Sequence, residues 1–524
     1  MIRDSLQTAA QISRKRTRLA RVIARVHVTV QRHQRWRLVS AGIFIAVIVL
    51  AAMKPDLGIA PVAIAVFIPL FSWLVVRTAR WKAHHETLTR LELFYDRQER
   101  RLRGKASGRE TPEFITKQAG NFPAAHDLHY FGSHSLWSLL DETITDEGGT
   151  CLYQWMTANP PAETEQILSR QRDVQMLKRE SWFFTRLILA ANPSSEFRVS
   201  TTQIDSFLKR SFVQSWFTIS FIGVWLFWIG FVASVVMAAN GDASWVASAL
   251  AVFALMNLGL VFKNGSKFAS GVGLAHHLSE LEPIFSRVEK RARESKRIGG
   301  LCPTTSMAGP SREAKKLSSV LGILGVETNP LLFLLVNAVL PWSSTGTHLL
   351  ERRRRKIAES FPNCLRELAQ LEVLGTLVLF AKYQTSTFPG LTGNHLSFKG
   401  LYHPLVDRTA VIENDFEFPA DKSLGLITGS NMSGKSTFLR TVGLNQCLAN
   451  MGAPVFADQF ATRPQMIESC IEVSDSLRDG FSYFYSEVRR LKAVLQEVGS
   501  GRPVLYLIDE IFRGQAYSYP ATLY

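Results

Sequence analysis

The nine residues Gly429-Ser-Asn-Met-Ser-Gly-Lys-Ser-Thr437 leave little freedom in what the surrounding chain folds into. They fit G-x-x-x-x-G-K-[ST], a loop whose backbone N–H groups turn inward around an anion. Such a loop belongs between a strand and a helix, because the helix N-terminus adds unpaired N–H groups and partial positive charge. Apolar Leu424 to Ile427 predicts a buried strand before it, and Phe438 to Leu448 predicts a helix after it. Gly429, Ser430, Asn431, Met432, Ser433 and Gly434 would wrap the phosphates of a nucleoside triphosphate such as ATP. Lys435 would reach the β- and γ-phosphates, Ser436 would hold Mg2+, and Thr437 would cap the helix or touch the α-phosphate.

A second signal lies downstream. Val504-Leu-Tyr-Leu-Ile-Asp-Glu510 is an apolar strand ending in two carboxylates. At its tip Asp509 would coordinate Mg2+, directly or through water, and Glu510 would polarise the attacking water as general base. Between the two motifs, Asp475 to Glu487 reads as a turn in which Gly480 and Ser482 open a helix running past Leu491. A Ser and free N–H groups at a helix start make another anion site. In two-chain ATPases a segment of this kind closes over the nucleotide of the partner subunit.

The chain has 524 residues and a net charge of +16, unevenly spread. Residues 1–37 hold ten Lys and Arg against the single acid Asp4, which supplies +9 of the total. Leu38 to Met53 then carries no charge, Lys54-Pro-Asp56 interrupts, and Leu57 to Val76 is uncharged for twenty residues. About twenty apolar residues span a bilayer core as a helix, so the pair reads as a membrane hairpin. Its apolar run starts too late for a cleaved signal peptide, and a second run follows. Arg32, Arg35 and Arg37 precede the hairpin and Arg77, Arg80 and Lys82 follow it, which places both ends on the cytoplasmic side of an inner or plasma membrane. The basic N-terminus then lies on anionic lipid, in preference to serving as a DNA arm. A second pair repeats the pattern: Trp216 to Ala239 and Ala243 to Phe262 are uncharged, with Asn240-Gly-Asp242 between and Lys209, Arg210, Lys263 and Lys267 outside.

Residues between and after the hairpins show helical periodicity. Leu152 to Met156 and the stretch through Ile167, Leu168, Val174 and Leu177 are helices, with Thr143 to Gly149 a polar turn before them. Leu274 to Arg297 is an amphipathic charged helix. Leu301 to Ala314, with Pro303 and Pro310, reads as a loop. Leu331 to Leu340 is apolar but too short to span, so it is a buried or lever helix. Arg352 to Lys356 forms a basic run near the start of one long helix reaching Tyr383, and such a run is usually a solvated face. The five cysteines, Cys151, Cys302, Cys364, Cys447 and Cys470, form no C-x-x-C pair and read as reduced core residues.

The C-terminal block resembles the ATPase domain of the MutS family of DNA mismatch-recognition proteins, within the ABC-type ATPases. The likeness rests on Thr428 to Thr437, on G-x-S-x-F-x-x-E met by Gly480, Ser482, Phe484 and Glu487, and on Gly400-Leu-Tyr-His-Pro404. Val411-Ile-Glu-Asn414 resembles the family segment that packs on adenine, which assigns Ile412 to the nucleotide. Asp127 to Gly132, Ser135-Leu136, Thr143 to Thr145, Leu152 to Trp155 and Arg170-Gln171 resemble the start of the family's helical core. The resemblance implies an α/β P-loop (ABC-type) ATPase domain, joined here to an all-α core or lever domain and four transmembrane helices. It implies ATP and Mg2+, a homodimer in which Gly480 and Ser482 complete the other subunit's site, and duplex DNA as a partner beside membrane lipid. Three departures stand out. Asp458 lies where members of the family often have a Gln contacting the metal site, with Gln459 next to it. Residues 1–80 leave no room for the mismatch-reading domain, and Gln515 to Tyr524 matches none of the strand, switch His or helical dimerisation element that follows in the family, so a truncated end is expected.

The domain map is therefore a basic N-terminus at 1–37, hairpin 1 at 38–76, a charged helical linker at 77–124, helical core at 125–210, hairpin 2 at 211–262, helical lever at 263–399 and ATPase domain at 400–524. An inactive membrane-bound scaffold is the alternative. A transporter would need more spans and an L-S-G-G-Q signature, and the chain has neither.

Overall fold

In this computed structural model the described residues are 2–53, 59–105, 110–119, 122–159, 161–191, 199, 201–209, 215–238, 252, 255, 269–324, 336, 340–384, 386–391, 395–419, 422–430, 432–471, 488, 492, 495–496, 499 and 501–509. They form a mostly helical chain with two small sheets. Two compact units emerge, one from residues 1–141, 156–179 and 377–524, the other from 142–155 and 180–376.

The first unit begins with two long helices, α1 (Ile2–Met53) and α2 (Ile59–Leu102). Phe44 stacks on Phe67 with ring centroids 3.8 Å apart, His27 lies 5.2 Å from His85, and Arg16 bonds Glu92 and Glu99 at 2.9 Å. Partners climb one helix as they descend the other, so α1 and α2 are antiparallel neighbours along their length. At one end Ala9, Ile12 and Leu102 form a buried cluster with Tyr95 and Tyr383 against it. At the other end the apolar side chains face outward: Leu38 is 70% exposed, Ile45 63% and Val66 62%.

The basic N-terminus and the first apolar run, expected as separate segments, are one helix of 52 residues. No proline interrupts α1, and its charge is offset from far away in sequence. Arg16 sits on Glu92, Asp96 and Glu99, so this residue faces protein and not lipid. Arg14, Lys15, Arg18, Arg21, Arg25, Arg32 and Arg35 remain on the exposed side. Likewise the charged segment after Val76 continues α2 without a break.

The sheets of this unit are β1 (Ser397–Leu401), β2 (Asn414–Glu417) and β3 (Gln459–Ala461), ordered β2-β1-β3 and antiparallel, and β4 (Met466–Cys470) with β5 (Val504–Ile508), which are parallel. Helix α3 (Lys435–Met451) lies among them, ending at Gly452 with φ +81°, a left-handed stop that glycine adopts without strain. A Cβ on Gly443 would sit 2.8 Å from both Leu128 Cδ1 and Leu507 Cδ1. The bare glycine is what lets α3 close onto β5.

The strand expected at Leu424 to Ile427 does not form. The segment pairs with no described strand, and Leu424 and Leu426 are 86% and 87% exposed. A buried strand requires neighbours to take its N–H and C=O groups. Here a cleft of 620 Å³ is lined by Leu424, Gly425, Ile427 and all of β5.

The second unit is helical. Its apolar helix Ser215–Ala238 matches the first span of the second expected hairpin, while most of Ala243 to Phe262 falls outside the described residues. Among the described residues two helices, α1 and α2, are long and apolar enough to cross a membrane, and Ile222–Ala233 is a shorter apolar stretch. The loop expected over Leu301 to Ala314 is instead two helices, Pro303–Ala308 and Pro310–Leu324. Each proline stands at the first helical position, where its missing N–H costs nothing. Carboxylates take the exposed donors behind them: Glu367 accepts from Thr304 N and Thr305 N at 2.8 Å, and Glu289 accepts from Ser311 N at 2.7 Å. The polar turn at Thr143 to Gly149 is in part helical, since helix Asp146–Met156 starts inside it. The single helix expected from Arg352 to Tyr383 is two, Trp342–Ile357 and Phe361–Tyr383. Its basic run is partly neutralised, with Arg354 and Arg355 on Glu351 at 2.7 and 2.8 Å. The expected helix at Leu331 to Leu340 lies almost wholly outside the described residues. None of the five cysteines is in a disulfide, and burial pushes the thiols of Cys302 and Cys447 up to about 12.

Candidate functional site

The loop before α3 folds tightly. Met432 has φ +67° and Gly434 φ +91°, and Gly434 is the N-cap of α3. Left-handed backbone at two positions so close together reverses the chain sharply into the helix. Ser433 N donates to Ser430 O at 3.2 Å, and Phe438 N closes the first helical turn on Gly434 O at 2.9 Å. A Cβ at Gly429 would approach Ser433 Oγ to 2.8 Å, so the loop has room only for glycine there unless Ser433 turns aside. Lys435 curls back, and its Nζ donates to Gly429 O and Ser430 O at 2.9 Å each.

Ser436 and Asp509 meet. The Ser436 hydroxyl donates to Asp509 Oδ2, joining the start of α3 to the tip of β5. Asp509 is held there by its own N–H, which donates to Cys470 O at 3.0 Å, and by the β4–β5 ladder from Met466–Val504 to Cys470–Ile508. The body of α3 is anchored through Asn445, whose Nδ2 donates to Thr441 O at 2.8 Å and to Tyr402 O at 3.4 Å, while its Oδ1 accepts from Phe456 N at 2.8 Å. Gln446 accepts from Thr462 Oγ1 at 2.7 Å and from Gln465 Nε2 at 3.1 Å. Neither residue was singled out by sequence; buried amides inside an otherwise apolar helix are the signal for such anchors.

No hydrogen bond joins the other described candidates to this pair, and four candidates lie outside the described residues. Ile412 is 78% exposed. Thr437 lies in the first turn of α3. Asn431, Gly480, Ser482 and Glu510 lie outside the described residues. Among the described residues no group of three His, Cys, Asp or Glu is placed to hold a metal. A cation at Ser436 and Asp509 would complete its shell with phosphate and water oxygens. That pattern suits Mg2+, which keeps several waters and binds through one or two protein oxygens.

His403 sits near the N-terminal half of α3, its Nδ1 accepting from Leu405 N at 3.2 Å. Burial first, then the nearby basic side chains of His129, Arg440, His134 and Arg408, drive its pKa down to about 4. It is therefore a neutral packing element at physiological pH. Arg408 is buried over the faces of Tyr402 and Phe456, 5.2 and 4.9 Å from the ring centroids, and burial lowers its pKa.

Fold and site together define a helical protein whose C-terminal block carries a glycine loop, a helix and a carboxylate-tipped strand. Residues 425–520 match the model of MutS domain V. The DNA mismatch repair protein MutS of Thermus thermophilus is 39% identical over 168 residues, 32% of this chain and 20% of that protein. MutS of Thermotoga petrophila is 38% identical over 152 residues, 28% and 19% of the two chains. Endonuclease MutS2 of Lactobacillus helveticus is 32% identical over 170 residues, 32% and 21%. Over this block the chain is similar to the MutS family, and it spans about a fifth of the length of the curated relatives it matches.

Proposed function

We propose that this chain is a membrane-anchored, MutS-type ATPase. The reading is carried by the hydrogen bond from Ser436 to Asp509, which brings a phosphate-loop hydroxyl and a strand-tip carboxylate to one point. Backbone N–H groups of residues 429–434 and the N-terminus of α3 bind the phosphates. Lys435 leaves the carbonyls of Gly429 and Ser430 for the β- and γ-phosphate oxygens. Ser436 and Asp509 hold Mg2+, which when bound offsets charge on the phosphates. Glu510, next to Asp509 in sequence, orients the attacking water and accepts its proton. Ile412, exposed in the single chain, packs on adenine. Gly480 and Ser482 complete the site of a second copy in a homodimer, and the domain has the P-loop, ABC-type architecture.

The hairpin α1–α2 inserts its exposed apolar end into the inner or plasma membrane, and the helix Ser215–Ala238 opens a second hairpin, making four spans with the soluble parts in the cytoplasm. The outward-facing Leu38, Ile45 and Val66 support this, since apolar surface of that extent is otherwise covered. Duplex DNA enters through the relatives' printed role in mismatch repair.

The test is phosphate release by the full chain in lipid vesicles. Wild type releases phosphate from ATP and stays with the vesicles after alkaline carbonate extraction; Lys435→Ala and Glu510→Gln stay with the vesicles and release none. Equal turnover in the variants, or extraction of the wild type, overturns the corresponding half of the reading. Retention on duplex DNA that falls with salt tests the third ligand.

A further inference from the structure

Asp127 belongs to a helical segment far from the phosphate loop in sequence, yet it grips both halves of the candidate site. Its side chain is fully buried. Oδ2 accepts from the Ser469 hydroxyl at 2.8 Å and from Ile471 N at 3.0 Å, at the C-terminal end of β4. Its backbone oxygen accepts from Arg440 Nε of α3 at 2.9 Å. The exposed His126 imidazole lies 4.0 Å from Oδ1. Leu128, the next residue, lies over Gly443 beside Leu507.

Between Ser469 of β4 and Ile471 just past its end, the two residues that the Asp127 side chain holds, stands Cys470, whose carbonyl accepts the Asp509 N–H. Two bonds to alternate residues of one strand end fix where that end lies along its own axis. The position of Asp509 follows, because its backbone hangs on Cys470 and its side chain must meet Ser436 on α3. The same residue fixes α3 through Arg440. One buried carboxylate and its carbonyl therefore reference both partners of the Ser436–Asp509 pair to a common point.

We infer that Asp127 is a positioning residue for the metal-binding pair, acting through β4 on Asp509 and through Arg440 on α3. This rests on the Mg-ATP reading of that pair. It separates two contributions to nucleotide affinity. The loop N–H groups and Lys435 do not hang on β4, and the Asp127 backbone oxygen that holds Arg440 of α3 survives any substitution, so ATP affinity without the metal is indifferent to the Asp127 side chain. The gain in affinity from Mg2+ depends on it.

The experiment measures ATP dissociation constants of the purified full chain in detergent, with Mg2+ and with EDTA, for wild type, Asp127→Ala, Asp127→Asn and Ser469→Ala. Asp127→Ala is expected to cut the Mg2+-dependent gain about tenfold, the size typical of lost outer-shell support, with affinity in EDTA unchanged. Asp127→Asn keeps an acceptor oxygen toward Ser469 and Ile471 and is expected to restore most of the gain. Ser469→Ala removes one of the two bonds and gives an intermediate loss, which decides the matter if Asp127→Ala does not fold. An unchanged gain in Asp127→Ala or Ser469→Ala, or equal losses with and without the metal, overturns the inference and leaves the Mg-ATP reading standing. A wild type with no Mg2+-dependent gain removes both.

Discussion

The Ser436 hydroxyl donates to the carboxylate of Asp509, 73 residues further along the chain. Under the proposed reading these two oxygens would hold Mg2+. Removing either, as Ser436→Ala or Asp509→Asn, is expected to raise the Mg2+ concentration needed for nucleotide binding by about 10–100-fold. A Mg2+ titration of a fluorescent ATP analogue checks this. An unchanged midpoint in both variants would make the bond a structural one only.

Gly443→Ala places a methyl group 2.8 Å from two buried leucine carbons, Leu128 Cδ1 and Leu507 Cδ1. Overpacking of a close helix–strand contact costs about 1–3 kcal/mol. Denaturant melts of wild type and variant measure it. A loss near zero would show that the leucines repack freely.

Glu372 serves the second unit in the same way that Asp127 serves the first. Its carboxylate accepts from Ile144 N at 2.9 Å, Thr145 N at 3.0 Å and Thr145 Oγ1. Glu372→Ala strands these buried donors and is expected to destabilise the unit by about 3 kcal/mol, with Glu372→Gln losing about half of that. Differential scanning calorimetry of the two variants should rank them in that order.

His403 makes stability depend on pH. Its folded pKa of about 4 lies below the unfolded value of 6.5, so the unfolded chain binds the extra proton first as pH falls. Stability from this residue is full above pH 6.5, declines as pH drops toward 4, and levels off below. Its total is about 3 kcal/mol at 1.36 kcal/mol per unit. Unfolding midpoints of wild type and His403→Gln between pH 4 and 7 should converge at the acid end. Parallel curves would contradict it.

Much of the site could be read from the chain because its signals are local. The glycine spacing from Gly429 to Gly434 forces a sharp turn, α3 forms where Phe438 to Leu448 predicts it, and Val504 to Ile508 is a strand with Asp509 at its tip. The strand expected at Leu424 to Ile427 failed because apolar residues alone do not supply ladder partners. Other features were hidden because their partners are distant. Arg16 is matched by acids on α2, and the clamp of Asp127 on β4 joins residues more than 300 positions apart. Pro303 and Pro310 punctuate loops and helix starts equally well, and only the carboxylates of Glu367 and Glu289 decide between the two.

The central claim is that ATP binds at the loop that Lys435 closes, with Mg2+ at the Ser436–Asp509 pair. Isothermal titration of the purified full chain with ATP tests it most directly, once with Mg2+ and once with EDTA, beside Lys435→Ala. The expected result is saturable binding that tightens about tenfold or more with Mg2+ and is lost in the variant. Binding that ignores the metal and the lysine alike, or no binding at all, would contradict the account.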